Sequence, residues 1–115
     1  MTGEDWIKIE SAADGHVVVA PDGDVDMSRS PELRSAIQRA VADHKPTKLV
    51  IDLSGVAYMD SSGLATLVEA MKTTKSAGVP MALCAMTEKV RAIFEIARLH
   101  QFFTIFQTRD AALAG

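Results

Sequence analysis

Four consecutive residues, Asp60-Ser61-Ser62-Gly63, put a carboxylate and two hydroxyls where the sequence marks the start of a helix. The marking comes from Leu64, Leu67, Val68 and Met71, which follow the i, i+3, i+4, i+7 spacing of a helix with one face on a core. The first backbone N–H groups of a helix have no partner within it, so such a turn can hold an anion or carry a phosphate. Helix capping alone accounts for one polar residue here, since Asp and Ser are both preferred caps. Three in a row leave a hydroxyl to spare. Ser62, nearer the helix body, is the expected cap, which leaves Ser61 exposed on the elbow.

Other chemistries fit less well. A nucleophile elbow for acyl transfer needs glycines two residues either side of the serine. Around Ser61 only Gly63 fits, opposite Met59, and around Ser62 neither Asp60 nor Leu64 does. His100 follows in sequence but sits at a helix end with no evident carboxylate to orient it. Asp52, near the end of a central strand, could suggest a phosphoaspartate site. That chemistry needs a cluster of acidic residues around a divalent cation, and Ser11-Ala12-Ala13 occupies the place of the usual acidic pair after the first strand. Asp52 is expected to accept nearby backbone N–H groups instead. His16, His44 and His100 show no paired ligand spacing, so no metal site is expected. No glycine-rich phosphate loop is present, and neither catalytic residues nor a cofactor are expected.

The 115 residues make one domain, spanning 1–115, long enough to bury a core. The net charge of −3 supplies no basic surface for phosphate backbones, which argues against a nucleic-acid partner. No apolar run reaches the roughly 18 residues of a membrane span, so no membrane insertion is expected. The first residues show no leader pattern. The one cysteine, Cys84, lies in an apolar strand-like run and reads as an inert core thiol. These features together predict a cytoplasmic protein.

The elements that must position the elbow can be read in order. Residues 6–11 alternate apolar and polar as a strand, and Asp14-Gly15 signals a hairpin into a second strand at residues 16–20. Pro21 removes a ladder donor, so that strand should end, bulge or lie at an edge there. An acidic turn, Asp22-Gly23-Asp24-Val25-Asp26, leads to a helix capped by Ser28 or Ser30, with Pro31 at its first position. Leu33, Ile37, Ala40 and Val41 form its buried stripe, and Lys45-Pro46 stops it. Residues 48–53 read as a strand covered on both faces. The organising helix ends near Ala77-Gly78. A strand follows at 81–85, then a helix capped by Thr87 running to about Leu99, with Val90, Ile93, Phe94 and Ala97 inward. A short strand at 103–107 and a helical turn or two from Arg109 complete the chain. This order predicts an α/β domain: a central mixed sheet of about five strands packed with about four helices.

The run from Leu49 through Tyr58-Met59-Asp60-Ser61-Ser62-Gly63-Leu64 resembles the signature of the STAS domain family, closest to its stand-alone bacterial anti-sigma factor antagonists. The resemblance extends upstream to Gly23-Asp24-Val25-Asp26 with Pro31-Glu32-Leu33, and downstream through Gly78-Val79-Pro80 to the fifth strand. Where the family often has Gly after the motif Leu, this chain has Ala65. The resemblance implies a partner-switching regulator rather than an enzyme. Its unphosphorylated form would bind an anti-sigma factor that is also a serine kinase and so release a sigma factor. The kinase would supply ATP and phosphorylate Ser61, and a serine phosphatase would reverse the mark. Asp26 would lie beside that serine, with Asp24, Ser28 and Ser62 at the contact surface and Asp60 and Gly63 supporting the turn. STAS domains also serve in stress-signalling assemblies and phospholipid-transport ABC complexes, which is the alternative reading.

Overall fold

The structure is a computed structural model that describes residues 5–115. The reading of the N-terminus as leader-free rests largely on residues 1–4, which lie outside the described residues. Five strands form one sheet in the order β1-β2-β3-β4-β5: Ile7–Ser11, His16–Pro21, Lys48–Asp52, Met81–Cys84 and Thr104–Phe106. The β1–β2 pair is antiparallel and the other three pairs are parallel, so the sheet is mixed as expected. Among the described residues, four α-helices accompany the sheet: α1 (Ser30–His44), α2 (Ser61–Ala77), α3 (Glu88–Ile96) and α4 (Arg109–Ala114).

The hairpin forms where Asp14-Gly15 predicts it, because both residues adopt the positive φ that such a turn requires, 63° and 77°. Pro21 is the last residue of β2. The Asp22 backbone N–H donates to Trp6 across β1. Strand alternation therefore turns the missing N–H of Pro21 toward β3, beyond the last registered pair, Val19 with Ile51.

Side-chain alternation divides the sheet's two faces. Val17, Val19, Leu49, Ile51, Leu53 and Leu83 point into the main core with α1, α2 and α3. Val18, Val50, Ala82 and Cys84 point the other way, where α4 covers them through Ala112. The strand order never reverses, so crossovers of one hand deposit α1, α2 and α3 on the same face. It also means that the sheet has no switch-point crevice, the usual ligand cleft of doubly wound folds.

The helices depart from expectation in three places. In α2 the buried face is Leu64, Thr66, Leu67, Ala70 and Thr74, while Val68 and Met71 are half-buried. The small residues Thr66 and Ala70 let α2 lie close against Ile37 of α1, which turns the stripe toward that helix. Second, α3 stops at Ile96, and Ala97 is exposed. Arg98 turns left-handed at φ 58°, and the Leu99 N–H reaches back to Phe94 at 2.9 Å, a helix-ending loop usually built on glycine. Third, α1 begins at Ser30 with no side-chain cap on its first turn, so neither Ser28 nor Ser30 performs that role. Pro31 is its second residue. At the end, Lys45 takes the left-handed position before Pro46 and closes the helix. Among the described residues, no helix is long and apolar enough to cross a membrane.

Candidate functional site

Beyond β3 the chain descends twice into the core, at Val56 and Met59, before α2 begins; both side chains are fully buried. Those anchors hold Ala57 and Tyr58 at the surface between them and bring Asp60 and Ser61 out just beyond. A second segment is stitched alongside. Asp22 pairs with Gly55 and Val25 with Met59 in parallel bridges. The Val25 N–H donates to Tyr58 at 3.0 Å, and Val25 in turn accepts from the Asp60 N–H at 3.1 Å. Parallel pairing at Val25 and Met59 sets Asp24 alongside Tyr58 and Asp26 alongside Asp60. The acidic turn and the elbow thus form one surface.

Asp60 is the centre of this surface and the N-cap of α2. Its Oδ1 accepts the Ser62 N–H at 2.9 Å, the Gly63 N–H at 3.2 Å and the Ser62 hydroxyl at 2.5 Å. This corrects the expectation that Ser62 caps the helix. An Asp at the extended position reaches the second and third N–H groups, whereas Ser62 already has helical backbone and cannot reach back to them. Ser62 instead donates to the cap. The Met27 N–H, from the neighbouring segment, also lowers the Asp60 pKa slightly. The Ser62 hydroxyl, against a smaller desolvation cost, and these backbone donors hold Asp60 below the usual carboxylate range. An acid so weakly basic is a poor general base. Ser61 is exposed at the first position of α2.

Asp26 is arranged in the same way. Its Oδ1 accepts the Ser28 hydroxyl at 2.7 Å and the N–H groups of Ser28 and Arg29 at 3.0 and 3.1 Å. The Ser28 hydroxyl foremost, with those N–H groups, lowers its pKa. Asp26 and Ser28 are thus brought together, and Asp26 braces the turn into α1 in place of the caps expected there. Asp24 is exposed, and its carbonyl accepts from Arg29 Nη1 at 3.4 Å. Arg29 itself lies over the Trp6 ring at 4.4 Å.

Gly63 is where α2 comes closest to the neighbouring segment. A Cβ there would collide with Met59 Cγ and stand 3.0 Å from the Val25 carbonyl oxygen. The absence of a side chain is what allows the two segments to meet.

A charged arrangement behind the site has no counterpart in the sequence analysis. Asp52 accepts the Ser54 N–H at 2.9 Å, as expected, but also Arg109 Nε at 2.8 Å; Arg109 Nη1 reaches Glu10 at 2.6 Å. Burial pushes the Asp52 pKa up, yet the Ser54 N–H and Arg109 outweigh it, and the carboxyl is held below its ordinary value. The only sequence signal was an acidic residue at the end of an apolar strand. Beside it, burial raises the Cys84 thiol to about 11, which keeps it protonated and inert. His16 is taken up by the hydroxyl of Thr47 at 2.9 Å.

Two open grooves, of about 250 and 290 Å3, lie elsewhere. The first runs between Met71, Met81 and Phe103, and the second beside Lys8, Pro21 and Arg109. Neither is lined by residues 24–28 or 58–63.

Comparison with known proteins agrees with the signature at the elbow. The chain is 33% identical to the anti-sigma-F factor antagonist RsfB of Mycobacterium tuberculosis, over all of this chain and 93% of that one. It is 27% identical to the anti-sigma-B factor antagonist of Listeria monocytogenes, covering 86% of each. The crystal structure of an anti-sigma factor antagonist from Mycobacterium paratuberculosis superposes with a TM-score of 0.85 at 32% identity, covering 94% of this chain and 90% of that one. A STAS domain protein from Planctomyces limnophilus shares the fold at a TM-score of 0.80 and 21% identity, over 94% and 95% of the two chains. The STAS domain family model matches residues 9–112, which include every strand pair except the first residues of β1, the stitched acidic turn and the capped elbow. The chain belongs to the STAS domain family.

Proposed function

We propose that this protein is an anti-sigma factor antagonist switched by phosphorylation of Ser61. In its unphosphorylated form it binds an anti-sigma factor with serine-kinase activity, which then releases its sigma factor. The kinase transfers the γ-phosphoryl group of ATP to Ser61 Oγ, takes up the hydroxyl proton and leaves ADP; a serine phosphatase hydrolyses the phosphoserine.

The observation that carries this reading is the division of labour between two adjacent serines. The Ser62 hydroxyl is committed to Asp60, while Ser61 stands exposed at the start of α2. Relatives named as anti-sigma factor antagonists support the choice of partner. A phosphoserine adds about −1.5 to −2 charges at neutral pH. At Ser61 that charge meets the positive end of the α2 dipole, so the domain itself accommodates it. The antagonism falls on the partner, which must desolvate the phosphate at a surface already carrying Asp24, Asp26 and Asp60.

The test is incubation with the purified anti-sigma kinases of the source organism and ATP, followed by peptide mass spectrometry. Phosphate on Ser61 is expected. Phosphate on Ser62 with Ser61 unmodified, or no binding and no phosphorylation by any of these kinases, overturns the reading.

A further inference from the structure

We propose that the partner's footprint does not end at the phosphoacceptor but follows an apolar track from Met27 and Tyr58 along α3 to Ile96. The occupant is the kinase itself, through a surface with exposed apolar side chains at its centre and basic residues on the side facing Asp24 and Asp26. This rests on the partner assigned under the proposed function.

Among the described residues, five large hydrophobic side chains are exposed: Ile9, Met27, Tyr58, Ile96 and Phe102. Three of them share one side of the elbow. Met27 is 76% exposed and follows the acidic turn, which is stitched to the elbow through Val25 and Met59. Tyr58 is 41% exposed and is held across from Val25 by backbone pairing. The first turn of α3 adjoins them: the Thr87 hydroxyl donates to the Val56 carbonyl at 3.5 Å, and Lys89 Nζ stands 5.6 Å from the Tyr58 ring centre. At 100° per residue, Lys89, Ala92 and Ile96 fall on one stripe of α3 within about 60° of each other. All three are exposed, and Ile96, at 84%, is the most exposed large hydrophobic residue described.

An isoleucine so exposed contributes nothing to folding through burial. Its stripe is continuous with the phosphoacceptor surface, about 10 Å long from Lys89 to Ile96 at the rise of a helix. Charge completes the assignment. One end carries Asp24, with Asp26 and Asp60 behind it, and the track's own cation, Lys89, lies over an aromatic ring. A partner with lysine or arginine facing the acidic end and apolar side chains along α3 is complementary to both. The track therefore contributes docking, while Ser61 contributes the acceptor hydroxyl.

The experiment uses the full chain, wild type and Ile96→Ser, titrated against each purified anti-sigma kinase of the source organism and assayed for phosphorylation with ATP. Phe102→Ser is the control, an apolar residue 66% exposed that lines the groove at Met71 and Phe103. For the kinase that binds wild type, Ile96→Ser should weaken affinity about tenfold and raise the KM for phosphorylation, leaving kcat and thermal unfolding unchanged. Phe102→Ser should match wild type. Unchanged KM and affinity in Ile96→Ser, or an equal loss in Phe102→Ser, overturns the track while the phosphoacceptor reading stands. Self-association of wild type that Ile96→Ser abolishes would give the track to a second copy and also overturn it. Failure of every kinase to bind wild type defeats the proposed function itself.

Discussion

The Ser62 hydroxyl donates to the Asp60 carboxylate at 2.5 Å, two residues back along the chain and across the start of α2. That contact decides which serine is available. It sets two chemically identical neighbours apart, one hydroxyl held by Asp60 and the other exposed, with Asp60 holding the helix start that both share.

Asp60→Ala should therefore cost more stability than Ser62→Ala. Asp60 satisfies two otherwise orphaned N–H groups, and loss of such a cap costs about 0.5–2 kcal/mol. Ser62→Ala removes one donor to a carboxylate that keeps its backbone partners, so its cost should lie at the low end, about 0.5 kcal/mol. Urea midpoints of both variants check the order; the reverse order would return the capping role to Ser62.

Ser61→Asp should leave the fold intact and weaken kinase binding. The new carboxylate sits at the first position of α2, where the dipole favours a negative charge by about 0.3–1 kcal/mol. Circular dichroism should be unchanged while the titration loses affinity. Full affinity in Ser61→Asp would mean that charge at this position is not what displaces the partner.

Gly63→Ala should damage both stability and recognition. The added methyl meets Met59 and the Val25 carbonyl, so the two stitched segments must separate. Overpacking of this kind costs about 1–3 kcal/mol. A lower melting temperature together with reduced phosphorylation of Ser61 is expected, since the acidic turn would no longer sit against the elbow.

Asp26→Asn separates the two roles of that residue. Its amide oxygen can still accept the Ser28 and Arg29 N–H groups, so thermal melts should match wild type. The lost charge should weaken binding of a basic partner. Equal affinities and equal melts would leave Asp26 only its structural part in the turn.

Acid should act through Asp52, Asp26 and Asp60, all held below their ordinary pKa. A depressed carboxylate contributes stability that is complete above its unfolded pKa, about 3.9, and lost as pH falls through the folded value. Stability should thus be flat near neutrality and decline only below about pH 4. Arg109→Gln tests the Asp52 share. It should cost about 1–2 kcal/mol, below the roughly 3–5 of a fully buried pair, because the Arg109 side chain is 36% exposed while that of Asp52 is 7%. It should also flatten the acid limb measured by chemical denaturation at several pH values.

The parts legible in the sequence were those written in local patterns. β3 was visible as an apolar run, α1 by its stripe at Leu33, Ile37, Ala40 and Val41, and the hairpin by Asp14-Gly15. The exposed Ser61 was also legible, although for a reason that needed correcting. Propensity ranks Asp and Ser as equal caps, so three in succession leave the choice to backbone geometry, which composition does not encode. Arg98 shows the same limit: it takes a left-handed position with no glycine to announce it. Pairings across long separations were invisible, as with Asp52 and Arg109, or Val25 and Met59. They depend on where α4 and the acidic turn land on a sheet that must form first.

The stitching of the acidic turn to the elbow through Val25 has a kinetic consequence. Met59 and Val25 are fully buried beneath the surface they hold, and their backbones are paired, so its frame is in place in the free protein. Association should then proceed at the ordinary rate of preformed protein surfaces, about 10^5–10^7 M−1 s−1, for tight and weak partners alike. Discrimination is left to the rate of departure. Under the proposed function, phosphorylation of Ser61 should act as a clock, shortening the time a complex survives more than it lengthens the time it takes to form.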